Sequence, residues 1–127
     1  FCTEFNQFYP QIQIELDMSI KNREIPKSIA ILIYRFFQEA LNNVAKHSHA
    51  EKVKVVLNRD SNMVKLQIID NGRGFDIENV ESEDLPLTRL GIESMRERTE
   101  LFGGKFHLET RINEGTKIIG YWPIEEL

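Results

Sequence analysis

The chain has 127 residues, of which 41% are hydrophobic and 28% charged, and a net charge of −4. That length allows one domain with its own core, and the composition is that of a globular protein. The acidic balance argues against a nucleic-acid partner, which needs a clustered basic face, and the single cysteine, Cys2, excludes an intrachain disulfide.

One cysteine suits a reducing compartment, so a cytoplasmic domain is expected. The longest apolar stretch, "IAILIYRFF", is broken by Arg35 and falls short of the ~20 residues that span a bilayer. No membrane contact by this domain is expected, and no signal-peptide pattern opens the chain. Position 1 is Phe rather than Met, which reads as part of something longer. "FCTEFNQFYP" carries Phe1, Phe5 and Phe8 at helical spacing, so residues 1–10 read as the end of a preceding helix closed by Pro10.

"QIQIELDM" alternates Ile12, Ile14 and Leu16 with polar residues, the period of a half-buried strand. A long helix is predicted from about Pro26, in its first turn, to Lys46. Ile29, Ile33, Phe36, Phe37, Ala40 and Val44 form its apolar stripe, while Arg35, Glu39, Asn43 and Lys46 line another face. "KVKVVLN" and "MVKLQIID" read as a β-hairpin joined through "RDS". From Gly72 to about Leu90 the periodicity is lost, and residues 76–84 hold five acids and no base. So long an irregular stretch inside a compact domain indicates a functional flap or disorder. "GIESMRERTELFGG" reads as a second helix with Ile92, Met95, Thr99 and Phe102 inward and Gly103-Gly104 as its stop. "KFHLETR" and "TKIIGYWPI" then form a second hairpin around "INEG". The fold class expected is an α+β two-layer sandwich, with a mixed, largely antiparallel sheet and helices on one face.

The stretch "IIDNGRGFD" carries the functional question, since Asp-Asn-Gly is also a favoured tight turn. Two features favour a ligand. An acidic irregular segment, not a returning strand, follows Gly74, and Asp70 shares the parity of the core-facing Val64, Leu66 and Ile68. A carboxylate aimed inward needs a donor, such as an amide, a guanidinium or the exocyclic amine of a base. Gly72 and Gly74 would let backbone approach such a base without Cβ interference. Glu39 and Asn43, four apart on the helix, project side by side. Asn43 offers a neutral oxygen to a hard cation already carrying phosphates, and Glu39 could orient or deprotonate an acceptor. Taken alone, this pair is as easily a solvated helix face.

Together these pieces resemble the catalytic, ATP-binding domain of bacterial sensor histidine kinases, the Bergerat fold shared with gyrase, Hsp90 and MutL. "QEALNNVAKHSHA" looks like the N box, "DNGRGF" the G1 box, "LGIESMRER" the G2 box and "EGTKIIGYWP" the final Gly-Thr strand. "QEALNN…KHS" together with "GIESMRER…GG" is most similar to the nitrate-sensor and DesK/LiaS-like branch of these kinases. The resemblance implies a Mg-ATP-binding domain over residues 1–127 that passes the γ-phosphoryl to a histidine on its own dimerisation domain, in a homodimer, with a response regulator downstream. By position it implies Asn43 on Mg²⁺, with Lys46 and His47 near the phosphates and Glu39 as catalytic polar residue. Asp70 would accept from the adenine amine, Gly72 and Gly74 would shape that pocket, and Thr116 would support the base. Gly91 and Ile92 would begin a helix whose amides face phosphate, and residues 75–90 would be the ATP lid. Arg89 departs from the pattern, standing where a first G2 glycine is common. It makes the hinge stiffer or gives the phosphates a cation. None of His47, His49 and His107 sits in a phosphoacceptor context, and His107 is expected to face outward on its strand. The competing readings are an anti-sigma serine kinase or stand-alone ATPase of the same fold, and a non-catalytic nucleotide-binding module.

Overall fold

The computed structural model describes residues 12–18, 25–44, 51–60, 62–72, 85–111 and 114–124. In chain order these form β1 (Gln13–Met18), α1 (Lys27–Asn43), β2 (Lys52–Asp60), β3 (Met63–Asp70), α2 (Leu85–Leu101), β4 (Lys105–Arg111) and β5 (Gly115–Pro123). The five strands make one sheet in the order β1-β2-β3-β5-β4. β1 and β2 are parallel, as a crossover through α1 requires, and every other pair is antiparallel. This is the expected mixed sheet.

Both helices lie on one face. Phe36 of α1 packs edge-on against Trp122 of β5 at 5.1 Å and against Phe106 of β4 at 6.1 Å, and the Arg96 guanidinium of α2 stacks over Phe106 at 5.2 Å. Phe106, Ile118 and Trp122 share that side with Val55, Leu66 and Ile68 by strand register. Ile33, Phe36, Ala40 and Val44 of the predicted stripe are buried there, with Ile29 and Phe37 partly so. Leu41, outside that stripe, is also fully buried, because the covered arc of α1 is wider than a strict i, i+3, i+4 row.

Several boundaries differ from the sequence reading, each for a local reason. Pro26 precedes α1 as its cap instead of lying in its first turn, and its carbonyl accepts the N–H groups of Ile29 and Ala30. Asp60 still pairs with Met63, so the first hairpin turns more tightly than "RDS" suggested. On β1, Ile12 is buried but Leu16 and Met18 are half exposed. α1 packs on β3 and β5 and leaves this edge strand uncovered by the described residues. α2 begins at Leu85, six residues before Gly91, so residues 85–90, expected in the flap, are helical. Pro86 hid this start, yet a proline in a first helical turn sacrifices no hydrogen bond. Ile92, Met95 and Thr99 face inward as expected, but Phe102 is 56% exposed. It follows the last helical residue, Leu101, so helical spacing no longer governs it. The helix does stop at Gly103-Gly104, with Gly103 at φ 81° and the Gly104 N–H returning to the Thr99 carbonyl at 2.9 Å.

Gly115 opens β5 at φ 83°, and a Cβ there would lie 2.2 Å from the Asp70 carbonyl oxygen. The end of β3 and the start of β5 therefore approach as closely as backbones can. Gly115→Ala is expected to cost at least about 1–2 kcal/mol of stability, the penalty of left-handed backbone for an L-residue. Urea unfolding reads this directly, and a midpoint equal to the parent's would refute the crowding.

Candidate functional site

β3 alternates strictly between buried and half-buried residues, and Asp70 ends its buried row at 5% exposure. Strand parity thus sends the carboxylate to the helix-covered side, as expected. Asn71 fixes where the strand ends. Its side-chain oxygen accepts the N–H groups of Glu51 and Lys52 at 3.0 and 2.9 Å, and its own N–H donates to the Lys52 carbonyl at 3.2 Å. Asn71 in "DNG" is therefore a clip to β2, a role the motif did not reveal. The Gly72 N–H then donates to Asp70 Oδ1 at 2.8 Å. Across the sheet, Asp70 is in register with Thr116, whose backbone N–H bonds the same carboxylate. The Thr116 side chain is buried, and its hydroxyl lies 3.0 Å from that of Thr110. Thr110 was missed because its motif, a plain strand, has no chemical signature.

Burial pushes the Asp70 carboxyl up from its ordinary 3.8, and the two backbone N–H bonds, which pull it down, do not offset the desolvation. A hollow borders Asp70 and Asn71, but Glu15, Lys54 and Ile69 place it on the open face by register. It lies opposite the side to which Asp70 projects.

α1 and α2 build a second group. Glu39 is half-buried and lines a cavity of about 190 Å³ between the helices, together with Arg35, Met95, Arg98 and Trp122. One turn further on, Asn43 Nδ2 donates to the Met95 sulfur at 3.7 Å. So Glu39 and Asn43 do face the partner helix and not open solvent. Trp122 is a buried packing residue and Tyr121 a half-buried one, with Lys65 over the Tyr121 ring at 5.5 Å. His107 faces outward from β4 and pairs with Glu109 at 3.1 Å.

One expectation needs correction. Gly91 and Ile92 do not begin a helix. They lie in the second turn of α2, where backbone N–H groups are already spent on the helix ladder, so they cannot present free amides to phosphate. Ile92 is a core residue. Lys46, His47, His49 and Gly74, and residues 75–84 of the expected lid, lie outside the described residues.

A family model described as "Histidine kinase-, DNA gyrase B-, and HSP90-like ATPase" matches residues 28–126. The chain belongs to this ATPase family. ATP is thereby its ligand class. The chain is similar to the sensor histidine kinase LiaS of Bacillus subtilis (strain 168), at 33% identity over 119 residues, 94% of this chain and 32% of the relative. It therefore spans about a third of that protein's length. Among solved structures, the Erythrobacter litoralis EL346 blue-light activated histidine kinase superimposes at TM-score 0.75 with 17% identity, over 96% of this chain and 39% of that one. The mycobacterial sensor histidine kinase MprB does so at 0.71 with 19% identity, over 99% and 91%. These likenesses show that the ATPase domain shares their fold.

Among the described residues no cluster of three or more His, Cys, Asp and Glu could hold a metal. A cation at this ATPase site would need phosphate oxygens to complete its shell, the habit of Mg²⁺. The same residues include no helix long and apolar enough to cross a membrane.

Asp70 makes the free domain's stability depend on pH. An acid whose folded value is raised holds its proton more tightly when folded, so its favourable contribution is complete below the unfolded value of 3.8 and is lost as pH rises through the folded one. The stability of Asp70→Asn relative to the parent is expected to improve as pH climbs across that window. A difference that stays flat with pH would reject the burial argument.

Proposed function

We propose that the chain is the Mg-ATP-binding catalytic domain, residues 1–127, of a two-component sensor histidine kinase working on the cytoplasmic side. It would pass the γ-phosphoryl of ATP to a histidine on the dimerisation domain of a homodimer, which then serves a response regulator. The similarity to a named sensor histidine kinase supports this, and the observation that carries it is the buried Asp70 carboxylate. Two backbone N–H groups engage it, but a carboxylate accepts more than two hydrogen bonds. The exocyclic amine of adenine is a donor that fits the remainder, with the Thr110–Thr116 hydroxyl pair beside it to hold the base or a bridging water.

Gly72 would serve that pocket by holding Asp70 in place, and Gly74 by close backbone approach. Asn43 would hold Mg²⁺ together with the phosphates through its side-chain oxygen, a neutral donor suited to a hard cation that already carries phosphate ligands. Bound there, Mg²⁺ would neutralise charge on the phosphates. Lys46 and His47 would meet the phosphate tail, and Glu39 would orient or deprotonate the acceptor imidazole. In such a transfer the protein's contribution is positioning and charge neutralisation. Residues 75–84 would act as the lid, with the first turn of α2 as its far anchor.

Asp70→Asn should weaken ATP binding at least tenfold, about 1.4 kcal/mol. Calorimetry checks this, and unchanged affinity would remove the adenine assignment. Limited proteolysis should cut within residues 75–84 and slow in a non-hydrolysable ATP analogue; equal cutting with and without it would dismiss the lid. Phosphate release without any acceptor domain would favour a stand-alone ATPase, and binding without transfer a non-catalytic module.

A further inference from the structure

A side-chain amide is a two-ended group. Half a turn about its last bond exchanges oxygen and nitrogen, and only the oxygen can bind a hard cation. If Asn43 is a metal ligand, something must choose between the two orientations. In this structure the chooser stands on the other helix. Asn43 Nδ2 donates to Met95 Sδ at 3.7 Å across the α1–α2 interface, and among the described residues Asn43 Oδ1 accepts no hydrogen bond. A thioether accepts but cannot donate, so the flipped amide would set an oxygen lone pair against sulfur, with no bond to gain.

Met95 is itself held. It is 2% exposed, and its backbone carbonyl accepts the Thr99 hydroxyl at 2.7 Å. Its sulfur cannot turn away without disturbing packed neighbours.

We infer that Met95 is a positioning residue for the cation site: its sulfur takes the Asn43 amide nitrogen and so leaves the amide oxygen turned from α2 and free to ligate Mg²⁺. This rests on the reading of Asn43 as metal ligand. It adds a consequence that reading lacks. The setting of α2 against α1 then tunes cation affinity through this one contact.

The test is a Mg²⁺ titration of ATP binding to this chain by calorimetry, with the Asn43 side-chain amide followed by NMR. Met95→Leu keeps the volume and removes the acceptor. Met95→Gln restores an acceptor oxygen at similar reach. Sulfur is a weak acceptor, so Met95→Leu should raise the Mg²⁺ needed for half-maximal binding by roughly two- to fivefold. Metal-free affinity should not move, and the Asn43 amide resonances should shift. Met95→Gln should restore the parent's midpoint, and Met95→Leu should add nothing in an Asn43→Ala background. A Met95→Leu midpoint like the parent's, with Asn43→Ala altered, would overturn the inference and leave the ligand reading standing. Equal weakening in Met95→Leu and Met95→Gln would assign the loss to packing and overturn it too. An Asn43→Ala titration like the parent's would remove both.

Discussion

The carboxylate of Asp70 is buried at the end of the core-facing row of β3, and most of the neighbouring architecture answers to that fact. Desolvating an ionised acid is costly, and the fold offsets part of the cost with backbone N–H groups from Gly72 and Thr116. To bring those groups into range, β3 must end at one residue and β5 must start beside it. The Asn71 clip sets the first condition. The second is met by a glycine, because any side chain at Gly115 would run into the Asp70 carbonyl. Burial still prevails, and the acid retains a raised affinity for a proton. A buried acid held at such expense, with two backbone N–H partners among the described residues, is the kind of group that clusters at functional sites.

The two helices supply what the sheet end cannot. α1 anchors through the ring cluster of Phe36, Trp122 and Phe106, which fixes its height above β4 and β5. That anchoring carries Glu39 and Asn43 to the seam with α2, where one lines a cavity and the other reaches a sulfur. A side chain on a free helix face would sample all its rotamers. One held between two packed helices has fewer rotamers open to it.

Family membership and the buried acid answer different questions. Membership of the histidine kinase, gyrase B and HSP90-like ATPases sets ATP as the ligand class, but that family contains more than one chemistry. The likeness to LiaS, over a third of that protein's length, is to a protein named as a sensor histidine kinase. The geometry contributes at a finer level, by showing what engages the Asp70 carboxylate and the Asn43 amide nitrogen among the described residues.

Local sequence determined a good deal here. Strand alternation is a two-residue period, so the parity of Ile68 and Asp70 gave the direction of the carboxylate with no knowledge of the fold. The arc of α1 and the glycine stop of α2 were legible for the same reason, since each depends on residues within a few positions. What local pattern could not reach were features set by distant partners. Leu16 alternates perfectly yet stays half exposed, because coverage of β1 depends on where α1 lies. The early start of α2 was hidden because Pro86 reads as a breaker until its place in the first turn is known. Met95 looked like one more core residue, and only the packing of α2 on α1, 52 positions apart in sequence at this contact, set its sulfur beside the Asn43 amide. Side-chain direction is a property of the backbone it hangs from, while its partner is a property of the whole chain.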